Sequence, residues 1–345
     1  AAYDIGQGSV FSEGTAVWAT EAFDPSLSDF EYFVRGYLDN PDRPLDTPLP
    51  GPVDPFSYGS AIFFQYLEEA HGDGTVRALW ESVENGAGGV ADPKWLQALD
   101  GVLAARSGSS FAEAMVEFAS FNLHTREYAD PSVSYERGEL YPRVRVDDRP
   151  VPLEDARLRV YHASSQYYGV VPAGRATVTA ALVPEGGDPD SLEGLVVLLA
   201  TESGRRVTGL LELGDPSAIG QGIDASSAER VVVIVINTAT EGESKRPGLC
   251  VGSPDEVQSC VASLSEGSGE GGGGAGGGDT AEGESGCDCR SAAGAPHSRS
   301  GVLGFGLGAA LFAARAQRRL RRRGEGAPGA GTATEVGAPR VRGGC

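Results

Sequence analysis

Apolar residues recur at helical spacing through the first part of the chain. In residues 58–70, Ile62 and Tyr66 are four residues apart and fall on the same side of a helix. The same period predicts helices at residues 9–21, 58–70, 75–85, 92–106 and 110–126. Proline and aspartate crowd residues 39–55, which are therefore predicted to be neither a helix nor a central strand. We interpret residues 1–142 as a helical domain.

After residue 142 the apolar residues come in short runs rich in valine and leucine, separated by glycine, proline and aspartate. This pattern is typical of an antiparallel β-sandwich, which we place at residues 143–240. Its strands are predicted at residues 157–161, 175–183, 195–200, 206–213 and 230–237. Residues 231–236 are an unbroken apolar run, so we expect this strand to be central and buried on both faces.

The last part of the chain has three further segments. Glycine, glutamate and serine dominate residues 265–300, which we predict to be a disordered linker. Residues 301–314 are apolar, and a helix of that length covers about 21 Å against about 30 Å of bilayer core. With snorkelling of Arg315 the segment 301–317 is predicted to be a short transmembrane or sorting helix, and a re-entrant segment is an equal alternative by length. Residues 318–345 are predicted to be a basic, disordered tail, and the arginine cluster that opens it is expected on the cytoplasmic side. The fold class is therefore α+β multidomain, ending in a linker and a short membrane helix.

Charge and cysteine content narrow the possible partners. The formal net charge is −20, and an acidic body repels phosphate backbones, so we expect no nucleic acid partner. None of the five cysteines precedes Cys250. Cys250 and Cys260 bracket a polar stretch that we interpret as a loop, within a segment at residues 241–264. A disulfide between them is expected in an oxidising compartment, and two free thiols are the alternative.

Glu13 is followed by the small residues Gly14, Thr15 and Ala16 and then by Trp18. This motif resembles the third-ligand helix of gluzincin metallopeptidases, in which two histidines of an HExxH helix and one glutamate hold zinc. The resemblance implies that Glu13 is a zinc ligand, with a coordination position left for water. The alternative is a glutamate favoured by the dipole at the beginning of a helix.

A second motif begins at Tyr58 and ends at Gly72. It resembles the helix after the zinc site of aminopeptidase-N-like gluzincins, whose tyrosine donates a hydrogen bond to the oxyanion of the tetrahedral intermediate. The resemblance implies that role for Tyr58. This chain has Gly59, Ser60 and Ala61 where the family usually carries a lysine and then a glycine, so the match is partial. The alternative is a core tyrosine that packs its ring where a helix begins.

The sequence contains no HExxH motif. Its four histidines, His71, His124, His162 and His297, are scattered, and we expect the first three to be surface or helix-end residues. The resemblance therefore implies a fragment of a zinc peptidase for peptide or protein substrates, with the histidines a few residues before Ala1. Zinc is expected only in the complete protein, and this chain alone should be inactive. The alternatives are a non-catalytic surface binding protein and a degenerate peptidase.

Cys287 and Cys289 precede a polar spacer, the apolar segment and the arginine cluster. This order resembles the MYXO-CTERM sorting tail of myxobacterial surface proteins. The resemblance implies processing or lipidation at these two cysteines. It also implies export and display at the cell surface or outer membrane of a Gram-negative bacterium, with membrane contact through residues 301–317. A plain single-pass anchor is the alternative.

Overall fold

The computed structural model describes residues 7–27, 29–48, 54–84 and 93–267. The predicted linker beyond residue 267, the segment 301–317, the tail 318–345, and Cys287 and Cys289 lie outside these ranges. The described part is α+β, which confirms that part of the predicted fold class, and the predicted membrane helix stays a prediction. Among its helices, none has both the length and the apolar character that crossing a bilayer requires.

The helices of the described ranges, apart from the short 3-10 turns, are α1 (Ser9–Phe23), α2 (Phe30–Phe33), α3 (Arg35–Leu38), α4 (Pro55–Gly59), α5 (Ala61–His71), α6 (Thr75–Val83), α7 (Trp95–Ser107), α8 (Phe111–Leu123) and α9 (Pro254–Gly267). Short 3-10 helices lie at Pro25–Leu27, Arg126–Tyr128, Gly138–Leu140, Glu185–Gly187 and Pro189–Leu192. The strands are β1 (Asp147–Arg149), β2 (Leu153–Asp155), β3 (Ser164–Val170), β4 (Thr177–Val183), β5 (Leu195–Ser203), β6 (Arg206–Glu212), β7 (Gly222–Asp224), β8 (Arg230–Asn237) and β9 (Gly248–Gly252).

The helices predicted from the periodicity are present, with ends that differ by up to three residues, except that the second is divided; α2 and α3 were not predicted. The second predicted helix is divided at Ser60 into α4 and α5, and α4 begins at Pro55, where Asp54 caps the first turn by accepting a hydrogen bond from Phe56 N at 2.7 Å. At the beginning of α8, Ser110 and Glu113 form a reciprocal capping box.

The strands form two sheets with the orders β1-β3-β8-β5-β6 and β2-β9-β4-β7. β1 pairs with β3 in parallel, and the other pairs are antiparallel, so the prediction of a purely antiparallel sandwich is wrong for one edge. β8 is the middle strand of the larger sheet and is buried on both faces, as its apolar run predicted. The predicted strand at residues 157–161 is wrong, because this segment makes only an isolated bridge from Val160 to Lys245.

Alternate residues of β8 belong to two different hydrophobic cores. Val231, Val233 and Val235 pack between the two sheets, against side chains such as Leu182 and Val251 of the smaller sheet. Val232, Ile234 and Ile236 pack on the other side, against the aromatic core of the helices. The helices therefore cover one face of the five-stranded sheet, and the four-stranded sheet covers the other.

The segment 241–264 differs from the loop that the sequence suggested. Cys250 lies on β9, between β2 and β4 in the smaller sheet, and Cys260 lies on α9. A disulfide joins the two cysteines, with their Cα atoms 5.9 Å apart. Val257 of α9 packs with Ala181 and Val183 on the outer face of the smaller sheet. The sandwich therefore extends to Gly252 and is covered there by α9.

His162 links the sandwich to the loop after α3. Its Nε2 atom lies 2.7 Å from Asp46 Oδ1, and its Nδ1 atom lies 3.2 Å from the carbonyl oxygen of Gly242. The hydrogen bond to Asp46 raises the pKa of His162, although burial opposes it. Burial is the largest single influence on the pKa of Asp46 and favours a higher value. The hydrogen bond and charge of His162, together with the hydrogen bond from Thr47, outweigh burial and lower the pKa.

We expect His162→Ala to lower the free energy of unfolding by about 1–3 kcal/mol at pH 6, the range for a hydrogen bond between charged partners. The loss should shrink as pH rises above 6.5 through the raised pKa of folded His162, because the imidazole is then neutral in both states. It should also shrink as pH falls towards the ordinary pKa of 3.8 and through the lowered pKa of folded Asp46. Urea unfolding at pH 6 and pH 9 tests this, and an equal loss at both pH values would contradict it.

Candidate functional site

Direct contacts fix α1 against α4 and the beginning of α5. Ser9 Oγ lies 3.4 Å from Ser57 Oγ, and Ser60 Oγ donates a hydrogen bond to the carbonyl oxygen of Val10 at 2.9 Å. A Cβ atom added to Gly14 would lie 2.1 Å from Ser60 Oγ and 2.8 Å from the ring of Phe64. The small residue after Glu13 thus allows α1 to approach α5.

Glu13 lies on α1 four residues after Ser9, so it is on the side of the helix that contacts α4. It is half-buried. Among the described residues its carboxylate has no hydrogen bond or ion pair. Glu13 is therefore held on a fixed helix with its carboxylate available to a ligand.

Tyr58 lies on α4 and is also half-buried. Its ring packs on Phe33 of α2, with ring centroids 5.3 Å apart. Within the described ranges its hydroxyl group has no hydrogen-bond partner. The next residue, Gly59, contacts α3 so closely that an added Cβ atom would lie 2.3 Å from the backbone nitrogen of Tyr37. The backbone position of Tyr58 is therefore set by a contact that only glycine permits.

The described residues do not by themselves fit a zinc ion. No group of three or more histidine, cysteine, aspartate or glutamate residues in those ranges has metal-binding geometry. Glu13 offers a single carboxylate, whereas a catalytic zinc site in proteins uses three protein ligands. A zinc site at Glu13 therefore needs two further ligands that these residues do not supply.

The histidines of the described ranges lie at helix ends or in a loop. His71 ends α5 and His124 follows α8, and both are buried, whereas the sequence suggested surface or helix-end positions without distinguishing them. Burial lowers the pKa of His124. His162 is held by Asp46, and His297 lies outside the described residues.

Sequence reasoning missed a buried chain of hydrogen bonds that joins three helices. Tyr66 Oη donates to Glu117 Oε2 at 3.1 Å and lies 3.0 Å from His71 Nε2. His71 Nδ1 lies 2.9 Å from Ser107 Oγ at the end of α7. The backbone N–H groups of Gly108 and Ser109 bond to carbonyl oxygens of α7. Neither group can therefore donate a hydrogen bond to an oxyanion at Ser107, as a catalytic role for this serine would require. We therefore interpret these hydrogen bonds as structural contacts that hold α5, α7 and α8 together.

A cavity of about 250 Å³ lies at the edge of the sandwich formed by β1 and β2, each of which is an edge strand of its sheet. Its charged lining residues are three aspartates and three arginines. They are Asp42, Arg145, Asp147, Asp155, Arg157 and Arg159. No single sequence motif signals this cavity, because the loop after α3 and three separate segments of the sandwich region form it.

A second, smaller hollow of about 80 Å³ lies at the end of α1. Val17 and Phe33 line it, and the exposed side chains of Phe23 and Tyr32 are close to it in sequence. Val17 lies one helical turn after Glu13 on α1, and the ring of Tyr58 packs on the ring of Phe33. The surface near the two predicted site residues is thus partly apolar.

Comparison with known proteins identifies no relative. No family model, curated protein or solved structure matches this chain.

Proposed function

We propose that the chain is part of a surface-displayed zinc peptidase of gluzincin type, with residues 1–142 forming part of its catalytic domain. The observation that carries the proposal is the contact between α1 and α4. It places Glu13 on the side of α1 that faces the helix bearing Tyr58. Both side chains are half-buried, and within the described ranges neither polar group has a partner.

In this proposal each residue has one role. Glu13 is the carboxylate ligand of the zinc ion, and two histidines from outside these 345 residues complete the site. The zinc ion, when bound, acts as a Lewis acid towards the peptide carbonyl group. Tyr58 donates a hydrogen bond to the oxygen that becomes negatively charged. The substrate is a peptide or protein.

The test is the longer protein encoded by the reading frame that contains this chain. We expect an HExxH motif before Ala1 and one zinc ion per chain by elemental analysis. Glu13→Gln should reduce zinc affinity by at least the roughly 10–100-fold that loss of an outer-shell partner costs, because it replaces a direct ligand. Glu127→Gln, which changes an exposed glutamate in a 3-10 helix, should leave zinc affinity unchanged. The absence of HExxH, or equal zinc affinity of the Glu13→Gln protein, would refute the proposal.

Display at the surface is the second part of the proposal. Its support is the disulfide between Cys250 and Cys260, since such bonds persist in oxidising compartments outside the cytoplasm. In this view Cys287 and Cys289 are the processing or lipidation sites, and residues 301–317 contact the membrane of a Gram-negative bacterium. Mass spectrometry of the protein from its native membrane tests this part. A chain that is intact around Cys287 and Cys289, with both cysteines unmodified, would contradict processing or lipidation.

A non-catalytic surface binding protein is the alternative. The charged cavity at the edge of the sandwich favours it, because that cavity is formed entirely by residues of this chain. The zinc measurement separates the two functions, since a binding protein does not require Glu13 to hold a metal.

A further inference from the structure

The charges that line the sandwich-edge cavity are unequally paired. Arg145 forms ion pairs with two of the three aspartates of the cavity, Asp42 at 3.1 Å and Asp147 at 3.6 Å. Arg157 and Arg159 are exposed and have no carboxylate partner within the described ranges. Two guanidinium groups are thus available at one cavity of a protein whose formal net charge is −20.

The two arginines are held at the cavity in different ways. Arg159 Nε donates a hydrogen bond to Ser244 Oγ at 3.1 Å, and its guanidinium lies 4.8 Å from the ring centroid of Tyr161. The backbone N–H of Arg157 bonds to Asp155 Oδ1 at 3.1 Å, which fixes the turn that carries both arginines. Guanidinium groups bind carboxylates through paired, charge-assisted hydrogen bonds. Asp155, the third aspartate of the cavity, forms no ion pair within the described ranges. Its negative charge therefore disfavours a ligand with more than one negative charge.

The position of the cavity indicates the rest of the ligand. β1 and β2 are the edge strands of the two sheets, so the side of β1 away from β3 has no strand partner in the described residues. An extended peptide can pair with such an edge. Tyr167 and Tyr168, the aromatic residues of the lining, are only 3% and 6% exposed, so the cavity offers no ring face on which a sugar would stack. A volume of about 250 Å³ is small for a whole drug-sized ligand and suits an end group.

We propose that Arg157 and Arg159 bind the terminal carboxylate of an extended peptide at this cavity. The site is separate from Glu13 and Tyr58 and does not depend on zinc. It would serve a peptidase as a substrate-holding or product-holding site and a binding protein as its principal site.

Calorimetric titration of the purified chain at low salt, with N-acetyl-tetra-alanine as free acid and as C-terminal amide, tests the proposal. We expect the acid to bind and the amide to bind about tenfold more weakly. Arg157→Ala and Arg159→Ala should each weaken binding of the acid about tenfold. Arg205→Ala should not change it, since that exposed arginine lies in the turn between β5 and β6, at the opposite edge of the same sheet.

Thermal unfolding of each variant separates lost binding from lost folding. We expect an unchanged midpoint for Arg157→Ala, which removes no ion pair among the described residues. For Arg159→Ala we expect a midpoint lower by a few degrees at most, because that variant loses the exposed contacts with Ser244 and Tyr161 but stays folded. Equal affinity for acid and amide, no binding of either, or unchanged affinity in both arginine variants would overturn the proposal. Binding of a galacturonate trimer in place of the peptide would also overturn it. The zinc content of the longer protein does not bear on these outcomes, so the two proposals fail independently.

Discussion

Replacing Phe118 with alanine should lower the free energy of unfolding by about 3–5 kcal/mol, the range for removing a buried aromatic ring. Phe118 lies on α8, and its side chain is fully buried. Its ring centroid is 5.0 Å from that of Phe63 and 5.3 Å from those of Tyr37 and Tyr66. These rings come from α3, α5 and α8, so the cavity left by the substitution would lie where three helices meet. Urea unfolding followed by circular dichroism measures the change.

Phe23 is the matched control. It is the last residue of α1, and its side chain is 89% exposed. Phe23→Ala should therefore change the free energy of unfolding by no more than about 0.5 kcal/mol. A similar loss in both variants would show that the aromatic core described for the helices is not the one that stabilises the protein.

The helices that the sequence predicted correctly are those that bury a complete apolar stripe. In α8 the stripe and the capping residues Ser110 and Glu113 act together, so both its beginning and its period can be read from the sequence. The helices α2 and α3 have four residues each, too few for a period to show. Their positions depend on contacts with α4, which local sequence does not contain.

Among the strands, the apolar run of β8 was sufficient for its prediction, because a middle strand is apolar on both faces. β3 begins Ser164-Ser165-Gln166 and was missed. Its burial depends on tertiary contacts, such as the hydrogen bond from Tyr167 Oη to the carbonyl oxygen of Ala119 in α8 at 3.1 Å. Residues 157–161 show strand-like alternation, but their backbone bonds reach only the irregular segment before β9.

The candidate sites also differ in how far the sequence predicts them. Glu13 and Tyr58 were selected from motifs, and their roles stay predictions until zinc is measured. The sequence did not show that their helices touch, because that contact depends on Gly14 and on the serines of α1 and α4. The proposed carboxylate site at the sandwich edge has no sequence signal, since Arg157 and Asp42 line one cavity only after the helices and the sandwich have packed together.

Gly59→Ala should lower the free energy of unfolding by about 3 kcal/mol, at the upper end of the usual cost of overpacking. The added Cβ atom would lie 2.3 Å from the backbone nitrogen of Tyr37 and 2.9 Å from the carbonyl carbon of Gly36. Both are backbone atoms, so no side-chain rotation relieves the clash, and α3 and α4 must separate. Tyr58 is the adjacent residue, so under the proposed function the same substitution in the longer protein should also reduce peptidase activity. Denaturant unfolding of the chain measures the first effect.

Gly101→Ala is the matched control, because Gly101 is also helical and an added Cβ atom there has no neighbour within 4 Å. Alanine is favoured over glycine in a helix by about 1 kcal/mol, so this variant should be as stable as the original protein or slightly more stable. The two substitutions are chemically identical and differ in their surroundings. If Gly59→Ala were tolerated as well as Gly101→Ala, the close contact of α3 with α4 would be refuted. The fixed position of Tyr58 that the proposed peptidase site requires would then lose its physical basis.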